Sequence, residues 1–301
     1  MTGHGIDPFS PLMRTSHKVR PDRYTTGASA YQPHERFIPE ETPVALTYGR
    51  ATHAVMMATP ADLEDFAVGF SLAEGLIDSV HDIESLEIVE VTHGVELRMD
   101  LTQTRDAAFI ARRRHVTGAT GCGLCGMESL DEAAKSPPRV SADLVIDAET
   151  IVTAMEALSP VQTLNLRTHA VHAAAFWQPG QGLLAIREDV GRHNALDKLA
   201  GFLARSGIPA SSGLVLLTSR VSVEMVQKAA RMGAGIIVAV SAPTTLAIRT
   251  AEAANITLAA VARRDGFELF THPWRIPCHD ADTNSDVASN VTWLHPGSTP
   301  P

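Results

Sequence analysis

Cysteine is scarce in this chain, three in 301 residues. An odd and small number cannot make a disulfide framework, so reduced thiols are expected. The amino terminus, Met1-Thr2-Gly3-His4-Gly5, lacks the charged and then apolar segments of a secretory leader. No apolar run approaches the roughly 18 residues that a membrane span requires. Positive charge is in deficit: 25 basic against 34 acidic residues leave a net −9. That balance argues against a non-specific nucleic-acid binder and against attachment to a membrane surface. The expectation is a soluble cytoplasmic protein with neither nucleic acid nor membrane as a partner. Apolar content of 45% and charged content of 20% are those of an ordinary globular protein. The length allows two domains and a sizeable core.

Residues 1–38 are polar, rich in Pro, His, Arg and Ser and without periodicity, and read as a loosely ordered arm. From Pro43 the pattern becomes strand, Gly49-Arg50 turn, strand. Thr59-Pro60 then reads as a helix start, with Thr59 as the cap and Pro60 in the first turn. Leu63, Phe66, Ala67, Phe70 and Ala73 form the apolar stripe of that helix, and Gly75 is its stop. Residues 84–101 alternate around His93-Gly94 as a second hairpin. Lys135-Ser136-Pro137-Pro138 reads as a linker. Beyond it, apolar strands (214–218, 236–240, 257–262) alternate with helices (148–158, 194–203, 223–232, 245–254), preceded by a short strand at 182–187. This predicts an α/β sheet covered on both faces with right-handed crossovers. The predicted organisation is a disordered arm at 1–38, a smaller α+β domain at 39–135, a second α/β domain at 136–277 and a disordered tail at 278–301.

Gly121-Cys122-Gly123-Leu124-Cys125-Gly126 carries two of the three thiols among glycines. Glycine permits positive φ and close approach to another molecule, so a mobile loop is expected. Sulfur chemistry, redox chemistry and half of a metal site all remain open for such a pair. Zinc would need four ligands, and two would have to come from the 13 histidines. A redox pair of the thioredoxin kind would instead open a helix after a strand. Arg112-Arg113-Arg114-His115 just upstream would favour the thiolate, or is simply a solvated basic run.

Two further stretches sit where a predicted strand meets a predicted helix. The first is Arg187-Glu188-Asp189-Val190-Gly191-Arg192-His193-Asn194; the second is Thr218-Ser219-Arg220-Val221-Ser222. A helix amino terminus with arginine and hydroxyls nearby attracts an anion, and two on one sheet edge point to a nucleotide or phosphorylated cofactor. His172 is followed two positions later by Ala174, not by the glutamate that zinc deaminases place there, and no Pro-Cys-x-x-Cys follows. Deaminase chemistry is thereby excluded, though its scaffold is not. Phe267-Glu268-Leu269-Phe270-Thr271-His272-Pro273 reads on its own as an edge strand ending at proline.

Taken together, several stretches carry a family resemblance: Glu41-Thr42-Pro43-Val44-Ala45-Leu46, His53 to Pro60 with Asp62 to Phe70, Cys122-Gly123-Leu124-Cys125-Gly126, Glu188 to Lys198 and Ser219-Arg220. Over about Glu41 to Ile276 the chain resembles the accessory sulfurtransferases of formate dehydrogenase, the FdhD family. The resemblance implies a persulfide on Cys122, with Cys125 as the second thiol. Its sulfur would come from a cysteine desulfurase. The acceptor would be the molybdenum cofactor in its bis-molybdopterin guanine dinucleotide form, before that cofactor enters the catalytic subunit of formate dehydrogenase. It also implies a homodimer and a second domain with a cytidine-deaminase-like scaffold lacking zinc. The cofactor-contacting stretch maps onto Phe267, Glu268, Leu269, Phe270, Thr271 and His272. Asp189, Gly191, Arg192, His193, Asn194, Ser219 and Arg220 complete the expected binding set. No metal ligands are expected. A carrier that binds and delivers the cofactor without covalent chemistry is the other class these features allow.

Overall fold

A computed structural model describes residues 13–27, 29–116 and 137–277, with only the backbone described for 111–116. Cys122, Cys125, Cys278, the side chains of Arg112 to His115 and the expected tail at 278–301 lie outside the described residues.

The stretch expected as a loose arm contains ladder-bonded backbone. β1 (Ser16–Val19) pairs antiparallel with β4 (Arg36–Pro39), and between them β2 (Asp22–Arg23) pairs with β3 (Gln32–Pro33). Ion pairs His17–Glu40 and Lys18–Glu35, both 2.6 Å, flank the first ladder.

β5 (Thr42–Tyr48), β6 (Ala51–Ala58), β7 (Ile83–Val91) and β8 (Gly94–Leu101) form a four-stranded sheet in the order β6-β5-β8-β7. Both predicted hairpins are present, and β5 and β8 run parallel between them. One face presents Val44, Leu46, Tyr48, Val95, Leu97 and Met99, all at most 1% exposed, to α1 (Leu63–Ala73). Phe66 and Phe70 of α1 complete that core, each contributing about 1.5–3 kcal/mol by burial. α2 (Gln103–Val116) follows β8, and its Phe109 packs on Tyr48 and His53.

The helix start differs from the expectation. α1 begins at Leu63, with Asp62 before it in the left-handed region at φ 53° and no side-chain cap. Thr59 is unavailable as a cap because its amide and hydroxyl are both bonded to residues near position 190. A tertiary contact has overridden the local signal.

α3 (Ala148–Leu158) and the one-and-a-half-turn α4 (Thr163–Thr168) lead into a six-stranded sheet. Its strands are β9 (His172–Gln178), β10 (Gly182–Asp189), β11 (Leu214–Leu217), β12 (Ile236–Ala239), β13 (Thr257–Arg263) and β14 (Gly266–Thr271). Their order is β10-β9-β11-β12-β13-β14; β11, β12 and β13 are parallel and the remaining pairs antiparallel. α5 (Arg192–Arg205), α6 (Val223–Arg231) and α7 (Thr245–Ala253) connect the strands. The sheet is buried on both faces. Phe176, Val215, Leu217, Ile237 and Leu258 share a core with residues of α5, α6 and α7, whereas Ala175, Leu214, Leu216, Ile236 and Val238 share one with α3. Double-sided burial is why these strands read as unbroken apolar runs.

The two sheets are joined through a close crossing of α1 and α5. A Cβ on Gly69 would lie 1.7 Å from the Asp197 carbonyl oxygen, and one on Gly201 would lie 1.9 Å from that of Asp65. Only hydrogen fits at either position. Beside this contact, Asp65 accepts from Arg187 (2.7 and 2.9 Å) and from Arg205 (2.6 Å), and Arg187 stacks over Phe202 at 4.5 Å. Gly69→Ala should therefore force the helices apart and lower unfolding free energy by about 2 kcal/mol or more, read by urea denaturation. An effect no larger than that of a surface alanine would mean the crossing is looser than described.

Candidate functional site

The turn between β10 and α5 is built around one buried carboxylate. Asp189 is fully buried. Its Oδ1 accepts from the Gly191 amide (2.7 Å) and from Asn194 Nδ2 (2.9 Å); its Oδ2 accepts from the Thr59 amide (2.9 Å) and from Lys198 Nζ (2.6 Å). Lys198, also fully buried, donates as well to the Thr59 carbonyl at 2.8 Å. Asn194 Nδ2 donates to the Met57 carbonyl, and the Val190 amide to Thr59 Oγ1. A Cβ on Gly191 would come 2.8 Å from that Asn194 amide nitrogen, so glycine leaves room for the network. Asp189, Gly191 and Asn194, expected as ligand contacts, are thus committed to locking the turn against the end of β6.

Arg192 and His193 are the next two residues and have the opposite character. Arg192 Nε and His193 Nε2 are buried and have no hydrogen-bond partner among the described residues, although Glu224 Oε2 lies 4.0 Å from His193 Nε2. Two such polar atoms at the amino end of α5, which has no side-chain cap, have hydrogen-bonding capacity that an anionic or hydrogen-bonding group could use. Burial, reinforced by the Arg192 charge, lowers the pKa of His193 to about 4. Burial and Arg192 also lower that of His172. Both histidines are therefore neutral near pH 7, and the fixed positive charge belongs to Arg192.

The second turn lies at the same sheet edge. Asp189 pairs with His172 at the start of β9, and the Thr218 amide donates to the Ala173 carbonyl from the other side. The structure so brings Arg192, His193, His172, Ser219 and Arg220 to one edge, at the carboxyl ends of β10 and β11. Ser219 is buried and Arg220 is exposed. Ala174 is fully buried inside the sheet opposite Arg187 and Leu217, as a packing residue.

Phe267 to His272 are placed differently. β14 is an edge strand, as the residues alone suggested, and it runs antiparallel to β13. Its Gly266 end lies at the carboxyl end of β13, whereas Thr271 pairs back to Leu258 near the opposite edge. Phe267 and Leu269 pack against the core shared with α3, and Phe270 against the core shared with α5 to α7. Glu268 is exposed opposite Ala260. Thr271 Oγ1 donates to the Ile256 carbonyl and accepts from the Leu258 amide; the His272 carbonyl accepts from Thr257. The stretch thus runs from the edge near Arg263 at its Gly266 end towards the opposite edge at Thr271.

Sequence reasoning suggested Thr59 only as a helix cap and gave Lys198 no role of its own, yet both hold the turn. It also passed over Glu188, whose carboxylate accepts from the Leu164 and Asn165 amides at 2.8 Å each and so caps α4 from across the sheet. Nothing local marks these roles, since every partner is more than twenty residues away except Lys198 to Asp189. A cavity of about 790 Å³, lined in part by Leu72, Gly75, Leu203 and Arg231, lies near the other end of α5 and shares no residue with either turn. Among the described residues no three His, Cys, Asp or Glu side chains converge as a metal site, and no helix is long and apolar enough to cross a membrane.

Comparison with known proteins adds to this geometry. The sequence pattern of the FdhD/NarQ family matches residues 39–277. The Sulfur carrier protein FdhD of Agrobacterium fabrum is 54% identical over 243 residues, covering 80% of this chain and 90% of that protein. Its namesake from Cupriavidus necator is 47% identical over 259 residues, covering 86% and 89%. Among solved structures, a candidate formate dehydrogenase accessory protein from Desulfotalea psychrophila superposes with a TM-score of 0.68 at 25% identity, covering 88% of this chain and all of that one.

Two measurements test the site as described. The His193 ring should stay neutral from pH 8 down to about pH 5 by NMR titration. Its folded pKa of about 4 lies below the ordinary 6.5. Its contribution to stability is therefore complete above 6.5 and is lost as pH falls towards 4, where only the unfolded chain takes up the proton. A midpoint at or above 6.5 would contradict the assignment. Lys198→Met should leave Asp189 buried without its cation and cost about 3–5 kcal/mol in urea unfolding; a loss below about 1 kcal/mol would show the pair to be dispensable.

Proposed function

The chain belongs to the FdhD/NarQ family, and from that premise we propose that it is a cytoplasmic sulfur carrier in the maturation of formate dehydrogenase. Cys122 accepts sulfur from a cysteine desulfurase, working as part of a homodimer. Its thiolate attacks the terminal sulfur of the donor's persulfide. The donor's S–S bond breaks, the donor leaves as a thiol, and Cys122 holds the sulfur as a persulfide. Attack of the Cys125 thiolate on Cys122 Sγ then forms a disulfide and expels sulfide. The two electrons come from the thiol pair, and a dithiol reductant resets it.

The acceptor in this reading is the molybdenum cofactor in its bis-molybdopterin guanine dinucleotide form, a substrate rather than a resident group. The observation that carries its placement is the pair of buried, unpartnered atoms Arg192 Nε and His193 Nε2 at the start of α5. A guanidinium with a free nitrogen beside a helix amino terminus suits a diphosphate. A neutral imidazole suits a hydrogen bond to base or sugar without adding charge. Ser219 and Arg220 stand at the same edge to take a second part of the dinucleotide. Of the β14 stretch, Phe267 and Glu268 lie nearest that edge.

Cys122→Ala should abolish the added sulfur that mass spectrometry finds after incubation with desulfurase and cysteine, and should abolish formate dehydrogenase activity in cells. Full activity of the variant would overturn the persulfide role, and would favour a carrier that only binds and delivers the cofactor. Independently, Arg192→Ala should weaken binding of GDP, used as a probe of the dinucleotide, by about 10- to 100-fold in calorimetry. Unchanged GDP affinity would remove the turn from the binding site.

A further inference from the structure

The β1–β4 ribbon is unusual in being firmly held at its base and bare at its tip. Arg36 donates to the Thr168 carbonyl at 3.2 Å, and Arg167 stacks over Phe37 at 4.5 Å, fixing the ribbon to α4. Beyond this base every described residue from Arg20 to Arg36 is exposed. Near the tip, Tyr24 and Tyr31 face each other across the ribbon with ring centroids 6.0 Å apart, and they are 58% and 69% exposed. From Arg14 to Arg36 the ribbon carries five arginines and lysines against two acidic residues, in a chain of net −9. The ribbon also precedes residue 39, where the family match begins. Paired tyrosines flanked by arginine and left in water have the composition of an interface anchor.

The same chain carries a surface of complementary chemistry. The strand register puts Val55 and Met57 of β6 on one face of the four-stranded sheet with Glu96, Arg98 and Asp100 of β8 and Glu87 of β7. Val55 and Met57 are 38% and 39% exposed, and Glu87 and Asp100 are exposed. β7 and β8 together hold five acidic residues and one basic one. An apolar strip beside an acidic one matches tyrosines beside arginines.

We propose that the ribbon of one copy docks on this outer sheet face of a second copy, and the reverse, so that two reciprocal arms close a two-fold dimer. Tyr24 and Tyr31 cover Val55 and Met57, and Arg20 and Arg23 meet Glu87 and Asp100. The proposal rests on the homodimer of the reading above but not on its sulfur chemistry, so sulfur loading of Cys122 and dimerisation fail separately.

Sedimentation equilibrium of the full chain at about 50 mM salt tests it, since such exposed charges are weakly screened there. Arg20→Glu with Arg23→Glu should raise the dimer dissociation constant at least about tenfold, as should Tyr24→Ser with Tyr31→Ser. Glu87→Lys with Asp100→Lys should do the same. Combining the two charge reversals should restore the constant to within about threefold, a rescue that a merely structural role would not produce. All of these side chains are exposed, and unchanged circular dichroism would confirm intact folding. A dissociation constant within about twofold of the parent for the arm variants, the absence of rescue, or a chain monomeric at every concentration would each overturn the proposal. So would an unchanged dimer with impaired formate dehydrogenase maturation, which would assign the ribbon to another protein.

Discussion

A carboxylate and an ammonium, both sealed from water, sit where the two sheets meet. Asp189 and Lys198 would each be costly to bury alone, because transfer of a charge out of water costs several kcal/mol. The cost is offset only because every acceptor position of the carboxylate is used, by two amides, one side-chain amide and the lysine. Such a set is satisfied in one geometry. It ties the end of β6, through Thr59, to the end of β10 and the start of α5, and so fixes the direction in which Arg192 and His193 leave the turn. A buried ion pair adds little net stability over apolar packing, and specifying one arrangement of a turn is the use the surrounding bonds support here.

The close crossing at Gly69 and Gly201 does for the helices what the ion pair does for the turn. Backbone atoms of α1 and α5 touch there, and the Arg187–Asp65–Arg205 cluster borders the contact. α1 is also the helix that buries the four-stranded sheet. The segment before residue 117 is thus tied, through α1 and α5, to the edge of the six-stranded sheet that carries Arg192 and His193. In the proposed chemistry a thiol pair carries sulfur while the turn at Asp189 holds the acceptor, and a fixed turn is what a transfer between two large partners needs.

Polar groups divide into two kinds at this edge. Asp189, Asn194 and Lys198 find hydrogen-bond partners within the chain, while Arg192 Nε and His193 Nε2 find none among the described residues. Side chains close in sequence can therefore have unrelated surroundings, one holding the scaffold and the other leaving a polar atom without a partner among the described residues. The depressed pKa of His193 follows from the same burial that isolates it.

Periodicity alone determined most of the elements: the hairpin around Gly49, the one around Gly94, the apolar strands β11 to β13 and the helices between them, because each depends on residues within a few positions. The motif stretches likewise announced two strand-to-helix turns and a thiol pair. Tertiary structure alone decided what those residues do. Thr59 reads as a helix cap, yet its bonding groups are claimed by residues some 130 positions away. Asp189 reads as a ligand contact and is a buried anchor. Phe267 to His272 read as one binding stretch and are spread across the sheet by the rise of a strand. Local pattern reports how a segment can bury itself, but which atoms remain unpaired is settled only when distant segments arrive and fill the others.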